Sequence, residues 1–165
     1  MSEEINLEVG QSAPRFSCQD SAGNKHELEQ YMADGKSVIL YFYPKDSTPG
    51  CTTQACEFRD SMASLNQGDY VVLGVSKDSG KSHDKFIAKQ DLNFPLLMDE
   101  DLSLHQSYGV WREKSMYGKK YMGTSRSTFV IGSDGNLTWV GYGVRSKGHV
   151  AVSYTHLTLP TTPYV

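Results

Sequence analysis

The sequence predicts an α/β fold: a central mixed sheet flanked by helices and preceded by an N-terminal β-hairpin. Three stretches carry that expectation. "SVILYFYP" is apolar without a break from Val38 to Tyr43, as in a strand covered on both faces, and Pro44 ends it. "TTQACEFRDSMASLNQ" then reads as a helix and "YVVLGVSKD" as a second buried strand, which together make a βαβ unit. Further on, "SRSTFVIGSDGNLTWVGYG" is two alternating strands joined by a turn containing Asp-Gly, a strong hairpin signal.

The remaining elements follow in order. "RFSCQDSAGNKHELEQY" alternates around a Gly-Asn turn and gives the N-terminal hairpin. "SHDKFIAKQDL" reads as a short helix, "FPLLMDED" as a strand and "SLHQSYGV" as another helix. "WREKSMYGKKYMGT" has little periodicity and reads as a loop. A βαβ unit followed by a ββ hairpin is the thioredoxin-like layout, with no internal repeat and no second domain.

Composition narrows the class. A chain of 165 residues, 38% hydrophobic and 21% charged, is long enough for one domain with a proper core. A net charge of −3 argues against a nucleic-acid or anionic-membrane partner. "MSEEINLEVGQSAP" lacks a basic region and an apolar core, so no secretory signal is expected, and no run is long enough for a membrane helix. Three cysteines, an odd number, then suggest reactive thiols rather than a disulfide scaffold, in the cytoplasm.

The domain is expected over residues 1–150, and residues 151–165 form an atypical tail. No charged side chain follows Lys147, and Pro160, Pro163 and four threonines argue against a terminal amphipathic helix. This tail reads as foreign coding sequence, a shifted frame or a lineage-specific extension, poorly packed or disordered.

The chemistry concentrates in "YPKDSTPGCTTQACEFRD", residues 43–60. Cys51, Ala55, Phe58, Met62 and Leu65 follow steps of four and three, so Cys51 opens the stripe that faces the body of the protein. A buried cysteine is commonly a small core hydrophobe. Position favours reactivity here, because a thiolate at a helix N-terminus gains from unpaired N–H groups and the positive end of the macrodipole. Thr48, Pro49 and Gly50 form the turn before it. Cys56 lies five residues on, a rise of about 7.5 Å and a rotation of about 140°, so the Cα atoms of the pair stand roughly 8.7 Å apart. A disulfide tolerates about 4.4–6.8 Å. The two can bond only if the first turns of the helix unwind. From spacing alone, Cys56 is either the partner in such a bond or an incidental helix residue.

Pro44-x-x-x-Thr48-x-x-Cys51 resembles the peroxidatic motif of the peroxiredoxins, and "TTQACEFRD" resembles their Q-type, or bacterioferritin-comigratory-protein, subfamily. "YGVW", "MYGKKYMG" and "SRSTFVIGSDG" are similar to later segments of that subfamily, in the same order. The resemblance covers about residues 5 to 150. It implies that Cys51 attacks a hydroperoxide to give a sulfenic acid, and that Cys56 resolves it as an intramolecular disulfide, which thioredoxin or a similar dithiol re-reduces. It also gives Arg126 the role of a fixed cation. Taken alone, Arg126 reads as a solvated surface residue. Pro44 and Pro49, with Gly50, would shape the pocket and shield the sulfur, and Glu57 is either a support for Arg126 or a surface glutamate. In the same subfamily the segment after "VRSKGH" continues into a charged amphipathic helix, which the tail of this chain does not match.

Magnitudes show why more than a thiol is needed. A free thiol of pKa about 8.5 is only about 3% thiolate at pH 7. Lowering that pKa to about 6 gains roughly thirtyfold, whereas enzymes typically accelerate reactions at least about a millionfold. The rest must come from alignment and from stabilising the departing oxygen, tasks within reach of Thr48, the Gly50–Cys51 backbone and Arg126.

Cys18 has no motif around it, and the five histidines lack metal-ligand spacing to the cysteines. Neither a metal nor a prosthetic group is expected, and the assembly is expected to be a monomer or weak dimer. A thiol–disulfide oxidoreductase would need a CxxC pair that the sequence lacks. A redox-switched binding or chaperone module on the same fold is the remaining alternative.

Overall fold

The computed structural model describes residues 5–65 and 70–144, with backbone only at 62–65. The tail and the boundary near residue 150 lie outside the described residues. The elements in chain order are β1 (Ser17–Gln19), β2 (Lys25–Glu27), α1 (Leu28–Ala33), β3 (Ser37–Phe42), α2 (Pro49–Leu65), β4 (Tyr70–Ser76), α3 (Gly80–Gln90), β5 (Leu96–Met98), α4 (Ser103–Ser107), β6 (Trp111–Met116), β7 (Lys119–Thr124), β8 (Ser127–Ile131) and β9 (Leu137–Gly141).

The central sheet has the order β5-β4-β3-β8-β9. β3, β4 and β5 run parallel, while β8 is antiparallel to β3 and β9 to β8. This is the mixed thioredoxin-like sheet that the sequence predicts. The unbroken apolar run of β3 serves two cores, because successive side chains point to opposite faces. Val38, Leu40 and Phe42 join Leu73, Val75, Phe129 and Ile131 on one face, closed by Leu28, Leu104 and Tyr108. Ile39, Tyr41 and Tyr43 join Val72, Leu96 and Val130 on the other, closed by Cys51, Ala55 and Phe58 of α2 and Phe86 of α3. The cysteine segment therefore lies wholly on the second face. No helix among the described residues is long and apolar enough to cross a membrane.

Two elements differ from the sequence expectation. The N-terminal hairpin is present, but its second strand stops at Glu27 and Leu28–Ala33 is helical. Leu28 is fully buried, and Tyr31 and Met32 pack against the same core, so a three-and-four spacing prevails over the alternation before it. Residues 111–124, read as a loop, form a second hairpin in which β6 and β7 pair antiparallel from Trp111–Thr124 to Met116–Lys119. Its turn is the two residues Tyr117 and Gly118, both at positive φ (53° and 78°). That is the backbone of a two-residue I′ turn, normally signalled by Asn-Gly rather than Tyr-Gly.

Candidate active site

The site is built where β3 ends. Pro44 breaks the strand, residues 45–48 form a loop, and α2 starts at Pro49 with Thr48 at its N-cap. Proline suits the first helical position because its missing N–H would have no partner there. The Thr48 carbonyl accepts the first helical bond from Thr52 N at 2.8 Å, and its hydroxyl donates to the Lys45 carbonyl at 2.9 Å. Cys51 thus sits in the first turn, where backbone N–H groups lack a carbonyl four residues back. Its side chain is buried, with 1% exposure. Around it Pro44, Thr48 and Gly50 are half-buried and Pro49 is exposed.

Arg126 arrives from the opposite end of the sequence. It immediately precedes β8, whose pairing with β3 sets Ser127 opposite Phe42 and so delivers the arginine to the C-terminal end of β3. Its Nη2 donates to Cys51 Sγ at 3.3 Å and its Nη1 to Gln54 Oε1 at 2.5 Å. The cation, the helix terminus and the sulfur meet at one point.

Gln54 was not singled out from the sequence. It is fully buried, although its neighbours on the inward stripe of α2 are apolar. A polar residue three positions after Cys51 on that stripe is the signal that could have found it. Glu57 was read as either a support for Arg126 or a surface glutamate; on α2, Gln54 makes a contact with the guanidinium.

Cys51, Cys56 and Cys18 are all thiols in this structure. Cys56 is half-buried on the same intact helix and faces α3, its Sγ lying 3.5 Å from Gln90 Oε1. The separation that the helix imposes on the pair is therefore present. Cys18 stands apart in β1, its thiol pushed up to about 12 by burial and then by the charges of Asp99 and Asp101. It donates to the Met98 carbonyl at 3.3 Å and remains protonated at neutral pH.

A cysteine at a helix N-terminus on a thioredoxin-like sheet, with an arginine on its sulfur, defines a thiol-based redox enzyme. Residues 9–140 match the AhpC/TSA family. The chain is 46% identical to peroxiredoxin Bcp of Bacillus subtilis over 147 residues, which is 89% of this chain and 92% of that one. It is 42% identical to peroxiredoxin Bcp of Escherichia coli over 143 residues, 87% of this chain and 90% of that one. Among solved structures it resembles the bacterioferritin comigratory protein of Xanthomonas campestris, with TM-score 0.79, 38% identity and coverage of 86% and 90% of the two chains. A cysteine-to-serine mutant of Xylella fastidiosa PrxQ superposes with TM-score 0.85 at 35% identity, covering 93% and 96%. The chain belongs to the AhpC/TSA family, and within it to the peroxiredoxins, the thiol-dependent peroxidases.

Proposed function

We propose that this chain reduces hydroperoxides with Cys51 as the attacking thiol and Cys56 as its resolving partner. The observation that carries this reading is the Arg126 guanidinium 3.3 Å from Cys51 Sγ at the start of α2. The thiolate sulfur attacks one peroxide oxygen and the O–O bond breaks. Sulfur is oxidised to the sulfenic acid, and the departing oxygen takes up a proton to leave as water or an alcohol. Arg126, placed against the sulfur, is suited to hold the peroxide and to stabilise the charge that develops on the leaving oxygen. The N–H groups of Gly50 and Cys51 add donors on the other side, and the Thr48 hydroxyl, whose hydrogen goes to the Lys45 carbonyl, offers an acceptor, while Pro44 and Pro49 shape the mouth.

Resolution then requires α2 to open. Once the first turns unwind, the Cys56 sulfur displaces hydroxide from the sulfenic sulfur, and water and a Cys51–Cys56 disulfide form. A dithiol such as thioredoxin restores both thiols by exchange. The cycle converts one hydroperoxide and one dithiol into an alcohol, water and a disulfide, and uses no metal. The Xanthomonas campestris relative is described by its alkyl peroxide reduction activity, which favours organic hydroperoxides beside hydrogen peroxide here. A cycle that depends on a reducing dithiol fits the cytoplasm.

The decisive experiment is peroxide consumption with a dithiol reductant. Cys51→Ser is expected to abolish turnover. Cys56→Ser is expected to be oxidised by one equivalent and then recycle poorly, and Cys18→Ser to match the parent. Stoichiometric oxidation of the parent without turnover would favour a redox switch instead. Loss of the intramolecular disulfide in Cys18→Ser would remove Cys56 from the resolving role.

A further inference from the structure

The loop that leads into Cys51 is held by a buried network that the reaction scheme does not use. Asp46 is 5% exposed, five residues before Cys51, and His83 of α3 is fully buried. His83 Nδ1 lies 2.7 Å from Asp46 Oδ2, and His83 Nε2 lies 2.9 Å from the Leu97 carbonyl. Two hydroxyls donate to Asp46, that of Tyr43 to Oδ1 at 2.5 Å and that of Ser82 to Oδ2 at 2.8 Å, and the Asp78 carboxylate lies within 4.8 Å. The Asp46 backbone N–H donates to Asp78 Oδ2 at 2.8 Å, and Ser76 Oγ donates to the same oxygen at 2.7 Å.

A carbonyl can only accept, so Nε2 carries a hydrogen, and a second proton must lie between Nδ1 and the carboxylate. Burial alone would push the ring down, but the bond and charge of Asp46 outweigh it, so His83 is held above its ordinary value. Asp46, Asp78 and His83 are also close enough together to suggest a cation site. Two ligands about 2.0 Å from a tetrahedral zinc stand about 3.3 Å apart. The 2.7 Å contact is a proton's distance rather than a metal's.

The backbone gives an independent sign that this loop is held. Ser47, between Asp46 and Thr48, has φ of 63°, a left-handed conformation that is uncommon and costly for a non-glycine residue. Ser47 adjoins Asp46, whose backbone N–H and carboxylate are both hydrogen-bonded.

We propose that the buried Asp46–His83 pair is a positioning device for the thiol: it pins residues 44–48 to α3, so that unwinding of α2 stops at Thr48 and the pocket closes again on a fixed frame. Asp46 and His83 act through the loop and do not touch the reacting atoms. Disulfide formation needs the first turns of α2 loose, and peroxide attack needs Thr48, Gly50 and Arg126 in register with Cys51. A clamp on the N-terminal side of the helix lets one chain meet both demands. The proposal rests on the peroxidatic reading of Cys51, but its tests can fail separately from that reading.

The test measures two single-turnover rates and one exchange pattern on the full chain. In Asp46→Asn and in His83→Phe, the rate constant for Cys51 oxidation by hydrogen peroxide is expected to fall at least tenfold. Formation of the Cys51–Cys56 disulfide from the sulfenic acid is expected to keep pace or quicken. A merely structural pair would lower the melting temperature and leave both rates alone at 25 °C, and that result would overturn the proposal. Amide exchange on the parent protein needs no variant and decides the case if neither variant folds. After oxidation, the amides of residues 45–48 are expected to stay protected while those of 50–56 lose protection. Equal loss across both segments would overturn the clamp. Failure of the parent to form the disulfide at all would instead refute the resolving role of Cys56.

Discussion

Arg126 can act on a sulfur only if its guanidinium is aimed, and the buried side chain that aims it is Gln54. One arm of the guanidinium is taken by Gln54 Oε1 and the other by Cys51 Sγ, so the amide fixes the plane in which the second arm reaches the thiol. Truncating Gln54 removes that hold and leaves a half-buried guanidinium N–H without this acceptor, a cost of about 1 kcal/mol. Gln54→Ala is therefore expected to slow peroxide attack about tenfold, a share of transition-state stabilisation near 1.4 kcal/mol. Arg126→Ala should slow it further. Stopped-flow oxidation with the far-UV spectrum as a control for folding checks both, and a Gln54→Ala rate equal to the parent would separate Gln54 from the chemistry. At this scale legibility in the sequence followed distance along the chain. Pro44, Thr48 and Cys51 form a local pattern that can be read directly. Arg126 is 75 residues from its sulfur and was reached only through the family resemblance, while His83 is 37 from Asp46 and that contact emerges only from helix packing.

Elements were legible where burial followed a clean period and hidden where a turn used unusual chemistry. The two-core pattern of β3 and the stripe of α2 are explicit in the residues, whereas the hairpin of β6 and β7 was concealed by Tyr117. Its side chain is 97% exposed, so it gains nothing from burial while holding a positive φ. Tyr117→Asn restores the favoured Asn-Gly turn and is expected to stabilise the protein by about 0.5–1 kcal/mol. Thermal unfolding would show it as a rise of roughly 1–4 °C. The short helix α4 depends instead on a charge. Asp99 accepts the backbone N–H groups of Leu104 at 3.0 Å and His105 at 2.8 Å, and the His105 Nδ1–H at 2.6 Å. Burial alone would raise its carboxyl, but these bonds outweigh that and hold it below the ordinary carboxylate value. A lowered folded pKa means stability that is present above the unfolded value of about 3.9 and lost as pH falls through the folded one. Denaturant midpoints should therefore drop below about pH 4. Asp99→Asn should be less stable at pH 7 and show a shallower acid decline. An identical acid profile in the variant would assign that decline to other carboxylates.

At the scale of the whole molecule, the sheet separates chemistry from anchorage. Cys51 and α2 occupy one face, while the N-terminal segment is tied down on the side of Tyr108 and Tyr142. Arg112 Nη2 donates to the Ile5 carbonyl at 3.0 Å and to Asn6 Oδ1 at 2.7 Å, and the Tyr142 hydroxyl accepts from Leu7 N at 3.0 Å. The same hydroxyl donates to the Tyr108 carbonyl at 2.8 Å, and the Arg112 guanidinium sits 4.3 Å from the centre of the Tyr142 ring. Gly109 makes this seat possible in two ways. Its φ is 72°, and a Cβ there would come within 2.1 Å of the Ile5 carbonyl oxygen. Gly109→Ala must therefore adopt a left-handed backbone and also push the N-terminal segment off its seat. The expected cost is about 2 kcal/mol, a fall in melting temperature of roughly 4–8 °C for a chain of this size. Because the thiol faces the other core, the rate of Cys51 oxidation in the folded variant is expected to stay within about twofold of the parent. Calorimetry and stopped-flow oxidation on one sample check both halves of this expectation. A variant that loses peroxide reactivity in step with its stability would show that the two faces are coupled through the sheet, and the division between chemistry and anchorage would have to be abandoned.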